Sequence, residues 1–515
     1  MQRKAFKAAM VIALASTMVG GAAVAAYSEP SDQNDYGYGR DDHGDRNGEI
    51  RNVIYLLGDG MGRTHVTAGR DRFYGASGRL NMERLPYVGQ VATFAVEKGT
   101  NKPALVTDSA SSATAWSSGV KTYNAALGVD AYEKRVATLM EQAKAAGFAT
   151  GNVSTAEITD ATPAGEFSHV LLRGCQGPSY SDAACLPKNA DGTFEAKPAD
   201  STLITPVAEQ IARNGTADVI LGGGLARFEP DDQKALEAQG YQVLGSFGDA
   251  ALPAQSAASQ KVATKADLDA AKGKKVVGLF NRGNLTVEAA KAGLPAGAPE
   301  KSEPTLSDMT TKAIDLLSKK NKKGFFLQIE GAQIDKRSHA NDATQTLGEI
   351  KAFDDAVAKA VDFAKKDGHT LVIVTADHEC AGFNIIEKGT FTNAEAAAPP
   401  TNADAGNPAN NSSPARTSGN VKDALRSTGP VNGAGSKDPK NFAPATFRTP
   451  DDAADVKDGS PEASLWLTYL SGNHTGADVP IFAYGPGGQR FAASQDNTEL
   501  YGKVYRALFN RAPQR

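Results

Sequence analysis

The chain has 515 residues, 41% hydrophobic and 22% charged, which is enough apolar material for a substantial core and excludes a chain disordered throughout. A formal charge of −4 excludes a nucleic-acid protein that works through a basic face. Length alone predicts about three domains, or one large α/β domain with insertions.

Residues 1–26 have the layout of a secretory signal peptide: Arg3, Lys4 and Lys7, an apolar segment from Met10 to Val19, then small residues including Ala23-Val24-Ala25. A transmembrane anchor is the competing reading. Ser16, Thr17, Gly20 and Gly21 break its apolar run, which is also too short to span a bilayer. There is no twin arginine, so the general export route and a periplasmic or secreted protein are expected. No other stretch reads as a transmembrane segment of the mature chain. Residues 27–50 are polar and glycine-rich and read as a flexible leader, with a single domain over residues 51–515.

Val53 to Leu57 is a continuous apolar run ending in Gly58-Asp59-Gly60, the form of a buried parallel strand and turn. The same form recurs at 217–224, 275–281, 324–331, 369–377 and 479–487, with helical patterns at 133–146, 202–214, 304–319 and 341–366. In the last helix Leu347, Ile350, Phe353, Val357 and Val361 fall at helical spacing. Strands alternating with helices predict an α/β fold, a three-layer sandwich with a central, mainly parallel sheet flanked by helices. In such a sheet functional residues gather beyond the carboxyl ends of the strands. Asp59, Glu330 and Asp377 stand at strand ends.

Between these elements lie the residues able to carry chemistry. Ser109 opens a run of small residues able to form a helix, "SASSATAW". At a helix N-terminus it is either a nucleophile favoured by the dipole or an ordinary N-cap. No Gly-x-Ser-x-Gly elbow surrounds it, so metal activation is the better route to a nucleophile. Thr162-Pro163 reads as an N-cap and first helical residue, and a helix running to Arg173 would put both on one face. Arg173 then either holds two phosphate oxygens or complements a helix C-terminus before Gly174. Cys175 and Cys185 suit a short-loop disulfide in an oxidising compartment, leaving Cys380 over. The alanine-rich stretch 249–275 is expected on the surface. Asp335 and His339, four apart, share a face of one helical turn and supply part of a zinc site, or else belong to a solvated loop. Histidines number seven, and His339, His378 and His474 fall in loops beside strands with polar or acidic company. His65, His169 and His369 are read as satisfied core or surface residues. Residues 388–460 are poor in bulky apolar residues and read as a long, partly disordered surface insertion.

Taken together, "LLGDGMG", "TDSASSATAW", "STAEITDATPA", "SHVLLR", "IEGAQIDK", "TADHE" and "GNHTG" resemble the alkaline phosphatase family, and most closely its bacterial periplasmic members. The match runs in order from about Val53 to Tyr505. The resemblance implies two zinc ions and one magnesium ion. Asp335, His339 and His474 would bind the first zinc, and Asp59, Asp377 and His378 the second. Asp59, Thr162 and Glu330 would bind magnesium, with Asp160 holding its waters. Ser109 would be the nucleophile, Arg173 the phosphate clamp and Asp108 its orienting partner, while Lys336 would reach phosphate through water. Animal members carry histidines where this chain has Asp160 and Lys336. Only the pair Cys175 and Cys185 matches the usual bacterial disulfides, and the insertion before His474 is longer than compact bacterial versions need. The implied activity is hydrolysis of small-molecule phosphate monoesters through a covalent phosphoserine, in a homodimer. The competing readings are a phosphodiesterase or sulfatase of the same superfamily, and a non-catalytic secreted zinc- or phosphate-binding protein. In "TADHEC" the resemblance leaves Asp377 and His378 as ligands. Glu379 is then an acid behind them or at the surface, Cys380 a small buried residue packing behind the site, and Ser338 at most a neighbour of the ligands.

Overall fold

The computed structural model describes residues 50–249, 259–319, 323–389, 445–470 and 472–513. The signal and leader segments up to residue 49, and residues 390–444 of the insertion, lie outside them.

Ten strands make the main sheet: β1 (Asn52–Gly58), β2 (Tyr87–Ala92), β3 (Ala149–Glu157), β4 (Val219–Gly223), β5 (Tyr241–Leu244), β6 (Lys275–Leu279), β7 (Phe325–Gly331), β8 (Thr370–Thr375), β9 (Val479–Tyr484) and β10 (Ser494–Asp496). Their order is β10-β2-β9-β8-β1-β7-β3-β4-β6-β5. From β8 through β5 every pairing is parallel, whereas β9 runs antiparallel to both β8 and β2. The sheet is therefore mainly parallel and flanked by helices, as expected. β1, β7 and β8 are buried along their whole length, which is why they read as unbroken apolar runs.

Helices cover both faces. On one, Trp116 of α1 (Ser109–Ser118) stacks on Tyr55 with ring centroids 4.5 Å apart. On the other, Leu317 of α2 (Leu306–Ser318) and Phe353 of α3 (Ala343–Asp367) close on Gly151 and Gly331. Side chains alternate across a strand, so these two glycines and Tyr55 mark opposite faces. Among the described residues no helix is long and apolar enough to cross a membrane.

Several expectations are corrected. β3 lies at the middle of the sheet, yet its sequence, ATGNVSTAE, shows no apolar run, because buried Thr150, Asn152 and Ser154 alternate through it. The helix expected over 133–146 begins only at Leu139, where Thr138 and Glu141 form a capping box. Thr162 is not an N-cap. Asp160 caps a single turn, Ala161–Ala164, and the chain leaves the helix at Gly165, so helical periodicity does not bring Arg173 beside Thr162. The last part of the 388–460 insertion is not a surface extension. Ala445–Phe447 pairs with Leu465–Thr468 and is buried, and both Asp458 oxygens accept from Arg72 at 2.6 Å. The disulfide between Cys175 and Cys185 is present.

On α3, Glu349 is buried and accepts a 2.7 Å hydrogen bond from the Glu288 backbone N–H. Burial, with Glu288 nearby, pushes its carboxyl up to about 7. A group raised above its unfolded value costs nothing below that value, and its cost grows as pH rises toward the folded pKa. Glu349→Gln is therefore expected to raise the melting temperature by roughly 1–3 °C at pH 8 and to change it little at pH 4.5. Paired thermal scans at the two pH values check this; an equal shift at both would refute it.

Candidate active site

Three adjacent parallel strands deliver the acids. Leu57 of β1 pairs with Thr375 of β8 on one side and with Glu330 of β7 on the other. Asp59 and Asp377 each lie two residues beyond their paired positions. Neighbouring strands stand about 4.8 Å apart, so these carboxylates converge at one end of the sheet. The turn after β1 depends on Gly60, whose φ is +68° and whose added Cβ would stand 2.8 Å from both Asp335 Oδ1 and Cys380 Cβ. Its N–H, and that of His378, donate to Asp377 Oδ1 at 3.0 Å.

The helix Gln333–His339, straight after β7, puts Asp335 and His339 on one face as the spacing predicts, with His339 Nε2 3.2 Å from Asp335 Oδ2. His474 Nε2 reaches within 3.0 Å of His339 Nε2 and 3.6 Å of Asp335 Oδ1. The His474 ring stacks on His378 at 3.5 Å. His378 Nε2 in turn lies 3.2 Å from Asp377 Oδ2, 3.6 Å from Asp59 Oδ1 and 3.1 Å from Ser109 Oγ. His339 Nδ1 faces the Gly472 carbonyl at 2.6 Å and His474 Nδ1 the Thr107 carbonyl at 3.0 Å. A carbonyl only accepts, so both Nδ1 atoms carry hydrogen and both Nε2 lone pairs face the cluster, as metal ligands require. Neither carbonyl has a side-chain signature, so these two contacts have no signal in the sequence.

Ser109 is the first residue of α1 and is buried, with Asp108 as the cap. Asp108 accepts from Ser111 N through one oxygen and from Ala125 N and Arg173 Nη1 through the other, the last at 3.2 Å. Arg173 Nη2 donates to Asp160 at 2.9 Å, and Lys336 Nζ donates to the other Asp160 oxygen at 2.6 Å. Burial works against charge on Asp160, but Lys336 and Arg173 outweigh it and hold its carboxyl below the usual range. Two carboxylates thus fix the guanidinium in place and leave other N–H groups for a ligand. Glu330 accepts from Ser154 Oγ. That partner was missed because β3 was not recognisable as a strand.

Whether metal ions fit can be judged from the acids. Burial, compounded by Asp377, Asp335 and Glu330, raises Asp59 well above the usual carboxylate value. Burial likewise pushes Asp377 and Glu330 up to about 7 and lowers His378 and His474. Among the described residues, Asp59 Oδ1, Asp335 Oδ1, Asp377 Oδ2 and Thr162 Oγ1 are buried and find no hydrogen-bond partner. The nearby cations Lys336 and Arg173 are already paired with Asp160 and Asp108. Buried acids left in this state fit divalent cations. Imidazole with carboxylate is a donor set that suits zinc. One candidate group is Asp335, His339, Cys380 and His474, and another is Asp59, Asp335 and His378; within each, the donor atoms lie within 4.8 Å of one another. Cys380 is buried as expected, with Sγ 3.8 Å from the Asp335 carbonyl, but its sulfur also stands among the donors of the first group.

The chain matches the family model described as alkaline phosphatase over residues 50–509. It is 44% identical to an alkaline phosphatase of Escherichia coli (strain K12) over 357 residues, covering 64% of this chain and 70% of that protein. It is 35% identical over 487 residues to alkaline phosphatase H of Pseudomonas aeruginosa (strain UCBPP-PA14), covering 89% of this chain and 85% of that one. Among solved structures, the alkaline phosphatase of the Antarctic bacterium TAB5 superposes with a TM-score of 0.58 at 26% identity, covering 91% of this chain and 99% of that one.

Gly60→Ala adds a methyl group where Asp335 and Cys380 already stand and strains a left-handed turn. It is expected to lower kcat/KM by on the order of tenfold or more while the far-ultraviolet circular dichroism is unchanged. Unaltered kinetics would show that the tight turn is not needed.

Proposed function

The chain belongs to the alkaline phosphatase family, and on that premise we propose that Ser109 forms a covalent phosphoserine during phosphate monoester hydrolysis. Membership makes the chain a phosphoric monoester hydrolase. The proposal adds the route and the residues that carry it.

One observation carries this reading. Ser109 Oγ stands 3.1 Å from His378 Nε2, at the N-terminus of α1 and directly after Asp108, which accepts from Arg173. In the proposed route Ser109 Oγ attacks phosphorus, the bond from phosphorus to the ester oxygen breaks, and the alcohol leaves. Water then attacks the phosphoserine, releasing inorganic phosphate and restoring the hydroxyl. Arg173, fixed by Asp108 and Asp160, turns its remaining N–H groups to the non-bridging oxygens. The positive end of α1 favours the anion at Ser109. Lys336, fixed on Asp160, adds a second cation beside the phosphate.

Asp335, His339 and His474 would hold one zinc ion, Asp59, Asp377 and His378 a second, and Asp59, Thr162 and Glu330 a magnesium ion. Bound there, divalent cations supply Lewis-acid stabilisation of the entering and leaving oxygens. The pattern of residues 1–26 and the disulfide support export to an oxidising compartment, periplasmic or extracellular.

Acid quenching during turnover of an aryl phosphate monoester is expected to trap phosphate on Ser109, identified by peptide mass spectrometry. Ser109→Ala is expected to lose the adduct and on the order of a thousandfold or more of kcat while retaining its metal content. Wild-type turnover without an adduct would refute the nucleophile, and faster turnover of the matching diester would favour a phosphodiesterase. Dialysis against a chelator is expected to abolish activity, with recovery on adding zinc and magnesium together; activity that survives chelation would refute the metal assignment.

A further inference from the structure

Glu379 follows a proposed ligand, His378, yet its carboxylate is committed elsewhere. It is buried and accepts from Gly382 N at 3.2 Å, from Phe383 N at 3.1 Å and from Thr475 Oγ1. Thr475 follows His474, and the two short strands pair Glu379 with Thr475 and Cys380 with His474. The stem of Glu379 also lies against the turn after Asp59, since a Cβ on Gly62 would fall 2.2 Å from Glu379 Cγ.

His65 links Phe383, which Glu379 holds, to the remaining ligand segment. It sits in the first turn of the helix Arg63–Tyr74, fully buried, with Nδ1 3.9 Å from Glu379 Oε1 and Nε2 3.0 Å from Ser338 Oγ. Ser338 Oγ donates to the Ile334 carbonyl at 2.8 Å, so its oxygen accepts and His65 carries its hydrogen on Nε2. Ser338 precedes His339. The His65 ring packs on Phe383 at 4.6 Å, and Phe383 is itself held by Glu379. One connected set of side chains therefore reaches the segments behind Asp59, His339, His378 and His474.

We propose that Glu379 is a positioning residue that sets how long the site retains its metal. This role rests on the reading of Asp335, His339 and His474, with Asp59, Asp377 and His378, as metal ligands. Those ligands come from four chain segments far apart in sequence, so retention depends on holding the segments in register. A carboxylate that accepts from three donors does this because each donor belongs to a ligand segment or the turn beside it. Glu379→Gln replaces one accepting oxygen with an amide that only donates, so either Phe383 or the pair Gly382 and Thr475 loses its partner. Thr475→Val removes a single hydroxyl and keeps the shape.

The test uses the purified metal-loaded protein and follows metal release to an excess of a chromophoric chelator, well below the melting temperature. Both variants are expected to release metal about 10-fold faster than wild type or more. Ile314→Ala, in the core on α2, loosens packing away from the site and is expected to release metal at the wild-type rate. If Glu379→Gln does not fold, Thr475→Val decides. Release from Thr475→Val at the wild-type rate, or acceleration by Ile314→Ala equal to that by Thr475→Val, overturns the role while leaving the metal ligands standing. A wild-type protein that carries no metal overturns both.

Discussion

Asp59, Glu330, Asp335 and Asp377 are four buried carboxylates gathered at one end of a sheet. Like charges repel there by on the order of 4 kcal/mol for a pair about 4 Å apart in a partly screened interior. Lys336 relieves this only in part at Asp59 and Glu330, since it and Arg173 are also held by Asp160 and Asp108. A fold that gathers these acids is well suited to take up cations among them, and much of the surrounding architecture fits that use. The tautomers of His339 and His474 fit it, since backbone carbonyls hold their Nδ1–H groups and turn Nε2 inward.

Sheet order is what gathers the acids. β1 stands early in the chain, yet it pairs with β7 and β8, each more than 250 residues later. All three run the same way, so their carboxyl ends stand side by side. The cluster can then be approached only from beyond the sheet, and α1 and the short strand carrying His474 approach from there. Ser109 arrives at the rim already buried and beside His378. Arg173 arrives by a different device, with two ion pairs doing what helical periodicity does not.

Much of this was legible before folding. Asp59, Glu330 and Asp377 end apolar strands, Asp335 and His339 show helical spacing, and scarce histidines concentrate beside them. These signals are local and survive in a linear string. β3 was not legible, because a central strand that supplies Asn152 and Ser154 to the interior carries polar residues where an apolar run is the usual mark. Nor was the end of the insertion, where Phe447 pairs with Leu465 and both Phe447 and Asp458 meet Arg72. Glu379 had a local identity as an acid next to a ligand, but the donors that define its role lie on Thr475 and in the turn after Cys380.

By itself the sequence determined the alternation of strands and helices, the residues able to ligate or attack, and through its motifs the family. Those properties depend on side-chain type and on spacings of a few residues, which secondary structure reads directly. The tertiary structure alone decided which strand ends are neighbours, which nitrogen of His339 and His474 faces inward, how Arg173 is aimed, and that Glu379 accepts from Thr475. Each of these is set by the meeting of groups tens to hundreds of residues apart, and only strand order and packing can arrange such meetings.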